Sequence, residues 1–442
     1  MRRKIYSYLQ KWKESNSRKP LLIRGARQVG KSYLVKQFGK EFEYFAEVNF
    51  ELMPELVKIF ENDLQPQTLI PKISAAVKCR IEPGRTLLFL DEIQKSPQAV
   101  TSLRYFYELM PDLHVIAAGS LVDFIVEKIG IPVGRVRNLY MYPLSFAEFL
   151  FATDNGQLYS YIQDHDNTKN IDDIFHNRLL SILGEYFAVG GMPEAVIKWN
   201  ETKNIEDVKN VHNDLIDTYK QDFSKYARQN KIDFVETVFK AVPRLCGEKF
   251  VYSKVDAGAR SRDLKNAFDL LEKAGVIHSV VHSASNGLPL GAETKSSFFK
   301  AIFLDVALSQ TVLGIETGDW IFNPAQTIVN KGVLAETFVG TELLAYSDYL
   351  SKKQLFYWVR EKKGANAEVD YVDVFEGKIV PVEVKSGTSG HLKSIHQFLK
   401  EKGNSVEGFH FSERNFSKTD NLYSIPLYAI WKIFEKEKIP SG

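Results

Sequence analysis

Apolar positions in the first third of the chain fall into short continuous runs separated by stretches of helical spacing. Leu21–Ile23, Tyr44–Phe50, Thr86–Leu90, His114–Ala118 and Val136–Tyr142 read as strands and the segments between them as helices. Five strands with interposed helices predict an α/β layer structure with helices on both faces of the sheet. Thr86–Leu90 is nearly all apolar, the pattern of a strand buried on both faces. From about residue 150 to 245 the spacing becomes helical, with polar, tyrosine-rich connections. There Tyr186–Glu194 reads as a helix end, a Gly190-Gly191 break and a restart at Pro193, which suits a helical lid or connector.

The pattern changes again at Phe250. Leu264, Phe268 and Leu271 recur at i, i+4, i+7, Ala267 and Leu270 widen the stripe, and Gly275 closes the helix before a strand at Val276–Val281. Helix then hairpin predicts a winged helix. Arg260, Arg262, Lys265 and Lys273 lie off the apolar stripe, where they suit a nucleic-acid groove, although such modules serve equally as packing units. Further on, a helix over Leu334–Tyr349 precedes a strand at Leu355–Arg360. Two alternating strands, Ala367–Phe375 and Lys378–Lys385, join through a Glu376-Gly377 turn, and a helix starts near His391. The expected organisation is 1–150, an α/β core; 151–245, a helical connector; 246–290, a winged helix; and 291–442, a further α/β domain.

The first turn of the core carries the chemistry. Gly25-Ala26-Arg27-Gln28-Val29-Gly30-Lys31-Ser32 matches G-x-x-x-x-G-K-[ST] at every fixed position, after a strand and before a helix that continues through Tyr33. Glycines at these places let backbone N–H groups curl round a β-phosphate at a helix N-terminus that already favours negative charge. Lys31 can reach the β- and γ-phosphates and the Ser32 hydroxyl can ligate Mg²⁺. A chance glycine turn would lack this strand–loop–helix context, so the segment predicts binding of a nucleoside triphosphate.

A buried strand ending in Asp91-Glu92 is by itself more often a strand end with a helix cap. Paired with a phosphate loop it predicts Asp91 on Mg²⁺ and Glu92 activating the attacking water, hence hydrolysis. Ser120, after the fourth strand, is a candidate sensor of the γ-phosphate and an equally good N-cap. Arg135, in a loop before the fifth strand, is a candidate transition-state cation.

The last third holds a second candidate site. Glu383 and Lys385 are two apart on one strand and share a face; Asp370 on the neighbouring strand can face them, and Glu336 lies on an upstream helix. Carboxylates and a lysine so placed can hold Mg²⁺ and stabilise a developing phosphate charge. A solvated sheet face is the plainer reading; Ser386-Gly-Thr-Ser-Gly390 and the helix after it favour the site.

Composition narrows the classes without changing this picture. The 442 residues are 44% hydrophobic and 25% charged with a formal net charge of +2, so any basic surface is local. Two cysteines exclude a disulfide framework and suit a reducing, cytoplasmic setting; the basic N-terminus lacks an apolar core, and no run approaches a membrane span.

With these residues in view, the chain resembles, over nearly its whole length, a family of bacterial and archaeal AAA+-type ATPases fused to a poorly characterised C-terminal region. The likeness rests on Gly25–Ser32, Leu-Asp-Glu-Ile-Gln94, Ala-Ala-Gly-Ser-Leu121, Pro-Val-Gly-Arg-Val136, Tyr-Pro-Leu-Ser-Phe-Ala-Glu-Phe-Leu150, Gly-Gly-Met-Pro-Glu194 and Glu-Val-Lys-Ser-Gly387. It implies a P-loop NTPase core of the AAA+ type, ATP with Mg²⁺, nucleotide contacts from Ser120 and Arg135, and assembly into oligomers. The C-terminal region is similar to PD-(D/E)XK nuclease folds, a restriction-endonuclease-like α/β domain, with Asp370, Glu383 and Lys385 matching its core and Glu336 its helix acid. No other DNA-cleavage apparatus accompanies that core. The expected function is an ATPase that switches conformation, associated with nucleic acid. The alternatives are an ATP-gated DNA nuclease, or a regulatory switch whose inactive C-terminal domain recruits a protein partner.

Overall fold

The computed structural model describes residues 3–124, 130, 134–227, 231–324, 327, 332–360, 367–385 and 392–435. Pro132 and Val133 of the Pro-Val-Gly-Arg segment, and the Ser386–Gly390 run, lie outside the described residues. The chain forms two bodies, Arg2–Tyr142 with Asp348–Lys352, and Pro143–Ser347 with Lys353–Lys436.

The first body is built on five strands, β1 (Leu21–Arg24), β2 (Tyr44–Asn49), β3 (Thr86–Asp91), β4 (His114–Ala118) and β5 (Arg137–Tyr140). They are parallel, in the order β2-β3-β4-β1-β5. The sequence left open which strand separates the phosphate-loop strand from the acidic strand; it is β4. Every residue of β3 and β4 is buried, which explains their unbroken apolar runs. Leu69 and Ile73 of helix Pro66–Val77, and Leu103 and Phe106 of helix Pro97–Leu109, close one face over Val48, Leu88 and Leu90. Each such side chain contributes about 1.5–3 kcal/mol by leaving water. At the sheet edge, Tyr140 N donates to Tyr349 O at 2.8 Å, so Asp348–Lys352 returns to β5.

The first body ends at Tyr142. The helix Phe146–Ala152, capped by Ser145 with Glu148 as its reciprocal partner, belongs to the second body. Its Phe146 N–H donates to the Glu342 carboxylate, at 3.0 and 3.2 Å to the two oxygens, and its ring packs against Tyr186 and Trp431.

In the second body, helices Asp173–Val189, Pro193–Thr202, Ile205–Tyr226 and Ile232–Arg244 lead to a short helix, Tyr252–Val255, and then helix Ser261–Lys273. The hairpin β6 (Ile277–Ser283) and β7 (Thr294–Phe303) follows. That hairpin is part of an eight-stranded mixed sheet with β8 (Leu355–Val359), β9 (Glu368–Phe375), β10 (Lys378–Val384), β11 (Gly408–Ser412), β12 (Ser417–Thr419) and β13 (Leu422–Pro426). The order is β12-β13-β11-β10-β9-β8-β6-β7. The expected division between residues 290 and 291 therefore falls inside a hairpin, because β6 pairs with β8 as well as with β7. Within this sheet β8, β9 and β10 form an antiparallel meander, helix Lys393–Glu401 crosses over, and β11 returns parallel to β10.

The Gly-Gly-Met-Pro and Pro-Leu-Ser-Phe segments meet in the second body. Leu144 N donates to Gly191 O at 2.7 Å, the Tyr186 hydroxyl donates to Leu144 O at 2.7 Å, and Gly191 N donates to Asp305 Oδ2 at 2.7 Å. A Cβ at Gly190 would sit 2.4 Å from Asp305 Oδ1, so the glycine makes room for that carboxylate. These two segments brace the fold of the second body.

Candidate functional site

The phosphate loop sits where β1 ends, and its glycines are required by space and by backbone geometry. Gly25 has φ 146°, and a Cβ there would lie 2.1 Å from Met141 O. Gly30, at φ 95°, is the left-handed cap of helix Lys31–Gly39. Gly25→Ala is expected to abolish ATP binding measured by fluorescent-nucleotide titration; unchanged affinity would mean that the loop tolerates a side chain here.

Lys31 is buried and donates to Gly25 O at 3.0 Å and Ala26 O at 2.7 Å, its ammonium lying inside the loop that would wrap a phosphate. Burial pushes it down to about 8, against the pull of Glu92 and Asp91. Ser32 Oγ donates to Asp91 Oδ1 at 3.0 Å, which joins the loop to the acidic strand. Asp91 is pushed up to about 6, mainly by burial, with the Glu92 charge adding to it. A hydroxyl and a carboxylate at this separation fit a hard divalent cation, so Ser32 and Asp91 are the residues that would hold Mg²⁺.

Two side chains that the sequence reading left unassigned set this acidic pair. Asn49 Nδ2 donates to Asp91 Oδ2 at 3.2 Å, while its own Oδ1 accepts from Glu51 N and Leu52 N. Gln94 Nε2 donates to Glu92 Oε2, and Glu92 itself stands in the left-handed region at φ 52°. A Cβ at Gly119 would lie 2.0 Å from Gln94 Oε1, so the small residue after β4 makes room for this amide. The other unassigned contributor is Arg3, which donates to Tyr142 O at 2.6 Å and to Val29 O at 3.4 Å. The basic N-terminus thus braces the back of the phosphate loop.

Ser120 is buried two residues beyond Ala118, which pairs with Ile23 on one side and Asp91 on the other. It stands level with the loop, between it and the acidic strand. Ala26, Arg27, Gln28 and Val29 form the turn, with Gln28 at φ 63° and Arg27 paired with Glu51 at 3.7 Å. Tyr33 is exposed on the helix that follows.

Arg135 is elsewhere. It precedes β5, whose first residue, Arg137, pairs with the first residue of β1, whereas the phosphate loop follows the last. At ~3.3 Å per residue this places the loop on the order of 15 Å away along the strands, beyond the reach of a guanidinium. Arg135 instead pairs with Glu108 at 3.1 Å, at the end of the sheet where strands begin.

The C-terminal candidates do come together. Glu336 lies on helix Gly332–Ala345, Asp370 on β9 and Glu383 on β10. Asp370 Oδ2 accepts from Val384 N at 2.8 Å, and Lys385 Nζ contacts Glu383 Oε1 at 2.7 Å. Burial pushes Glu336 and Glu383 each up to about 7. The sequence reading missed Lys300 on β7, whose ammonium lies 2.9 Å from Glu336 and 2.5 Å from Glu368. The available signal was a single charge inside Phe298-Phe-Lys-Ala-Ile-Phe303. Among the described residues, no group of three or more His, Cys, Asp or Glu is placed to hold a metal ion, and no helix is long and apolar enough to cross a membrane.

Known protein families match three stretches of the chain. Residues 17–150 match the family described as AAA domain, residues 180–319 a domain of unknown function (DUF8612), and residues 331–430 another (DUF4143). Uncharacterized protein MJ1637 of Methanocaldococcus jannaschii is 24% identical over 415 residues, 89% of this chain and 82% of its own. Among solved structures, the Walker-type ATPase PABY2304 of Pyrococcus abyssi is similar with a TM-score of 0.45 and 16% identity, over 70% of this chain and 94% of its own. The ORC1 protein of Aeropyrum pernix, in complex with DNA, has a TM-score of 0.29 and 12% identity, over 70% and 90%. Residues 17–150 are therefore an AAA domain of the P-loop ATPase class, joined in one chain to domains of unknown function.

Proposed function

We propose that the chain hydrolyses ATP and uses the cycle as a conformational switch associated with nucleic acid. The observation that carries the ATPase reading is the 3.0 Å contact of Ser32 with Asp91, with Lys31 buried inside the glycine loop beside them. Loop amides and Lys31 hold the phosphates, Ser32 and Asp91 hold Mg²⁺, and Glu92, steadied by Gln94, orients the attacking water. The metal, when bound, neutralises charge on the β- and γ-oxygens. Ser120 contacts the γ-phosphate. Arg135 can serve only the nucleotide of another copy of the chain, in an oligomer.

The nucleic-acid part rests on helix Ser261–Lys273 and the hairpin after it, which have the order of a winged helix. Arg262 and Lys265 are exposed on that helix. A cleft of about 650 Å³ between the helix and the hairpin is lined by Lys249, Lys265, Ser296 and Ser297, groups suited to phosphate oxygens, with Asp269 and Glu272 opposing them. The test is ATP turnover of the full chain with and without duplex DNA. Stimulated turnover, with DNA affinity falling steeply as salt rises, is the expected result; unstimulated turnover and salt-insensitive affinity would remove nucleic acid from the reading.

A second reading, an ATP-gated metal-dependent nuclease, is favoured by one observation. Asp370, Glu383 and Lys385 converge on the β8–β10 meander, in the helix, three-strand, helix, strand order of nuclease-like cores. DNA cleavage that persists in Glu383→Ala would dispose of it.

A further inference from the structure

The carboxylates that a nuclease would present to a metal ion already face a cation of this chain. Lys300 is 2% exposed, and its ammonium lies 2.9 Å from Glu336 Oε1, 2.5 Å from Glu368 Oε1 and 3.8 Å from Asp370 Oδ1. Helix Gly332–Ala345 and strand β9 thus direct three carboxylates at one buried nitrogen. The Glu336 contact has the length of a charge-assisted N–H···O bond, whereas Mg²⁺ draws its oxygens in to about 2.0–2.1 Å and keeps several waters. The Tyr357 ring, its centroid 5.4 Å from the ammonium, adds a π face on another side.

The remaining acceptors are largely spoken for. Asp370 Oδ2 takes the Val384 N–H, and Glu383 Oε1 takes Lys385. Glu383 Oε2 is buried without a hydrogen-bond partner. A divalent ion entering beside Glu336 and Asp370 would have to displace or approach the Lys300 ammonium, which is 2% exposed and already ion-paired with Glu336 and Glu368. The donor set therefore does not fit a divalent metal while Lys300 is in place.

We propose that Lys300 is the resident cation of this cluster, standing where a nuclease would hold its metal ion, and that the C-terminal body is a metal-independent domain. On this account Glu336, Glu368 and Asp370 are kept for shape and charge balance, and the domain does not cut phosphodiesters by metal-activated water. The proposal does not rest on the ATPase reading, since every residue in it lies in the second body.

The test is Mn²⁺ binding to the full nucleotide-free chain, counted from the EPR signal of free Mn²⁺. The chains compared are wild type, Asp370→Asn, Lys300→Ala and the Lys300→Ala/Asp370→Asn pair, so that any ion at Ser32 and Asp91 is a constant background. Wild type and Asp370→Asn should bind equal amounts. Lys300→Ala should gain about one ion per chain, as expected of an uncompensated oxygen cluster, and the double variant should lose it again. A Mn²⁺ ion on wild type that Asp370→Asn removes would overturn the proposal, as would a folded Lys300→Ala that gains none. Should Lys300→Ala fail to fold, the wild-type and Asp370→Asn comparison still decides. ATP turnover in the same preparations reports separately on the first body.

Discussion

Glu92→Gln is expected to lower ATP turnover by about 10²–10⁴-fold, the range for loss of a positioned acid–base group, while leaving ATP affinity unchanged. The amide keeps the shape of the carboxylate, and its oxygen can still accept from Gln94 Nε2, so the left-handed turn at Glu92 is retained. What is lost is the negative charge and the ability to take a proton from water as it attacks. Binding depends on other groups: the loop amides, Lys31, and the Ser32–Asp91 pair, whose 3.0 Å contact the substitution does not touch. Phosphate release under steady-state conditions and nucleotide titration of the same protein separate the two effects. A parallel fall in both would make Glu92 a part of the binding site, and unchanged turnover would place the catalytic carboxylate elsewhere. Gln94→Ala provides a second reading of the same geometry, since it frees Glu92 without removing its charge, and a smaller loss of turnover is expected.

How far the sequence discloses this site depends on whether a feature is local. The glycine loop is local: spacing, the preceding strand and the following helix are contiguous, and the structure has Gly25 and Gly30 at positive φ. All five strands of the first sheet begin and end within about two residues of their expected bounds, because buried parallel strands are short apolar runs. Partners brought in by strand register are not local. Asn49 reaches Asp91 only because β2 lies beside β3, with Asn49 paired to Asp91 itself. Arg135 looked like a nucleotide contact because it follows a glycine in a loop, but loops at the two ends of a parallel strand look alike in sequence. Only the pairing of Arg137 with Leu21 reveals which end it occupies.

The second body was less legible for a related reason. The meander β8–β10 shows in alternation, yet β11 is buried at all five positions of Gly408–Ser412 while including a glycine, a histidine and a serine. The exposed Ser417–Thr419 has no apolar signal at all. Lys300 is the sharper case. A lysine in an apolar strand costs heavily unless paired, so its presence implied buried acids, but which acids depended on a helix and a strand well removed in sequence.

Asp305→Ala is expected to destabilise the second body by about 3–5 kcal/mol, the range for removing one member of a buried charged network. Asp305 is 2% exposed and accepts three backbone N–H groups, from Gly191 at 2.7 Å, Ala307 at 2.9 Å and Leu308 at 3.0 Å. Two of these are the N-terminal donors of helix Val306–Val312, so the substitution removes a helix cap, worth about 0.5–2 kcal/mol. The third strands a donor of the Gly-Gly break, a loss of about 1–3 kcal/mol when the group stays buried. His212, whose Nε2 lies 2.9 Å from Val189 O, also loses the nearby carboxylate that offsets its burial. Asp305→Asn should cost less, since its amide oxygen still caps the helix while its NH₂ faces the Gly191 donor. Chemical denaturation followed by the tryptophans of the second body measures both, and nucleotide affinity in the same samples should hold, because the phosphate loop belongs to the first body. A loss below about 1 kcal/mol, no larger than one ordinary hydrogen bond, would mean that Leu144 and Tyr186 alone hold the Gly-Gly-Met-Pro segment. The close approach of Gly190 to Asp305 would then need another explanation.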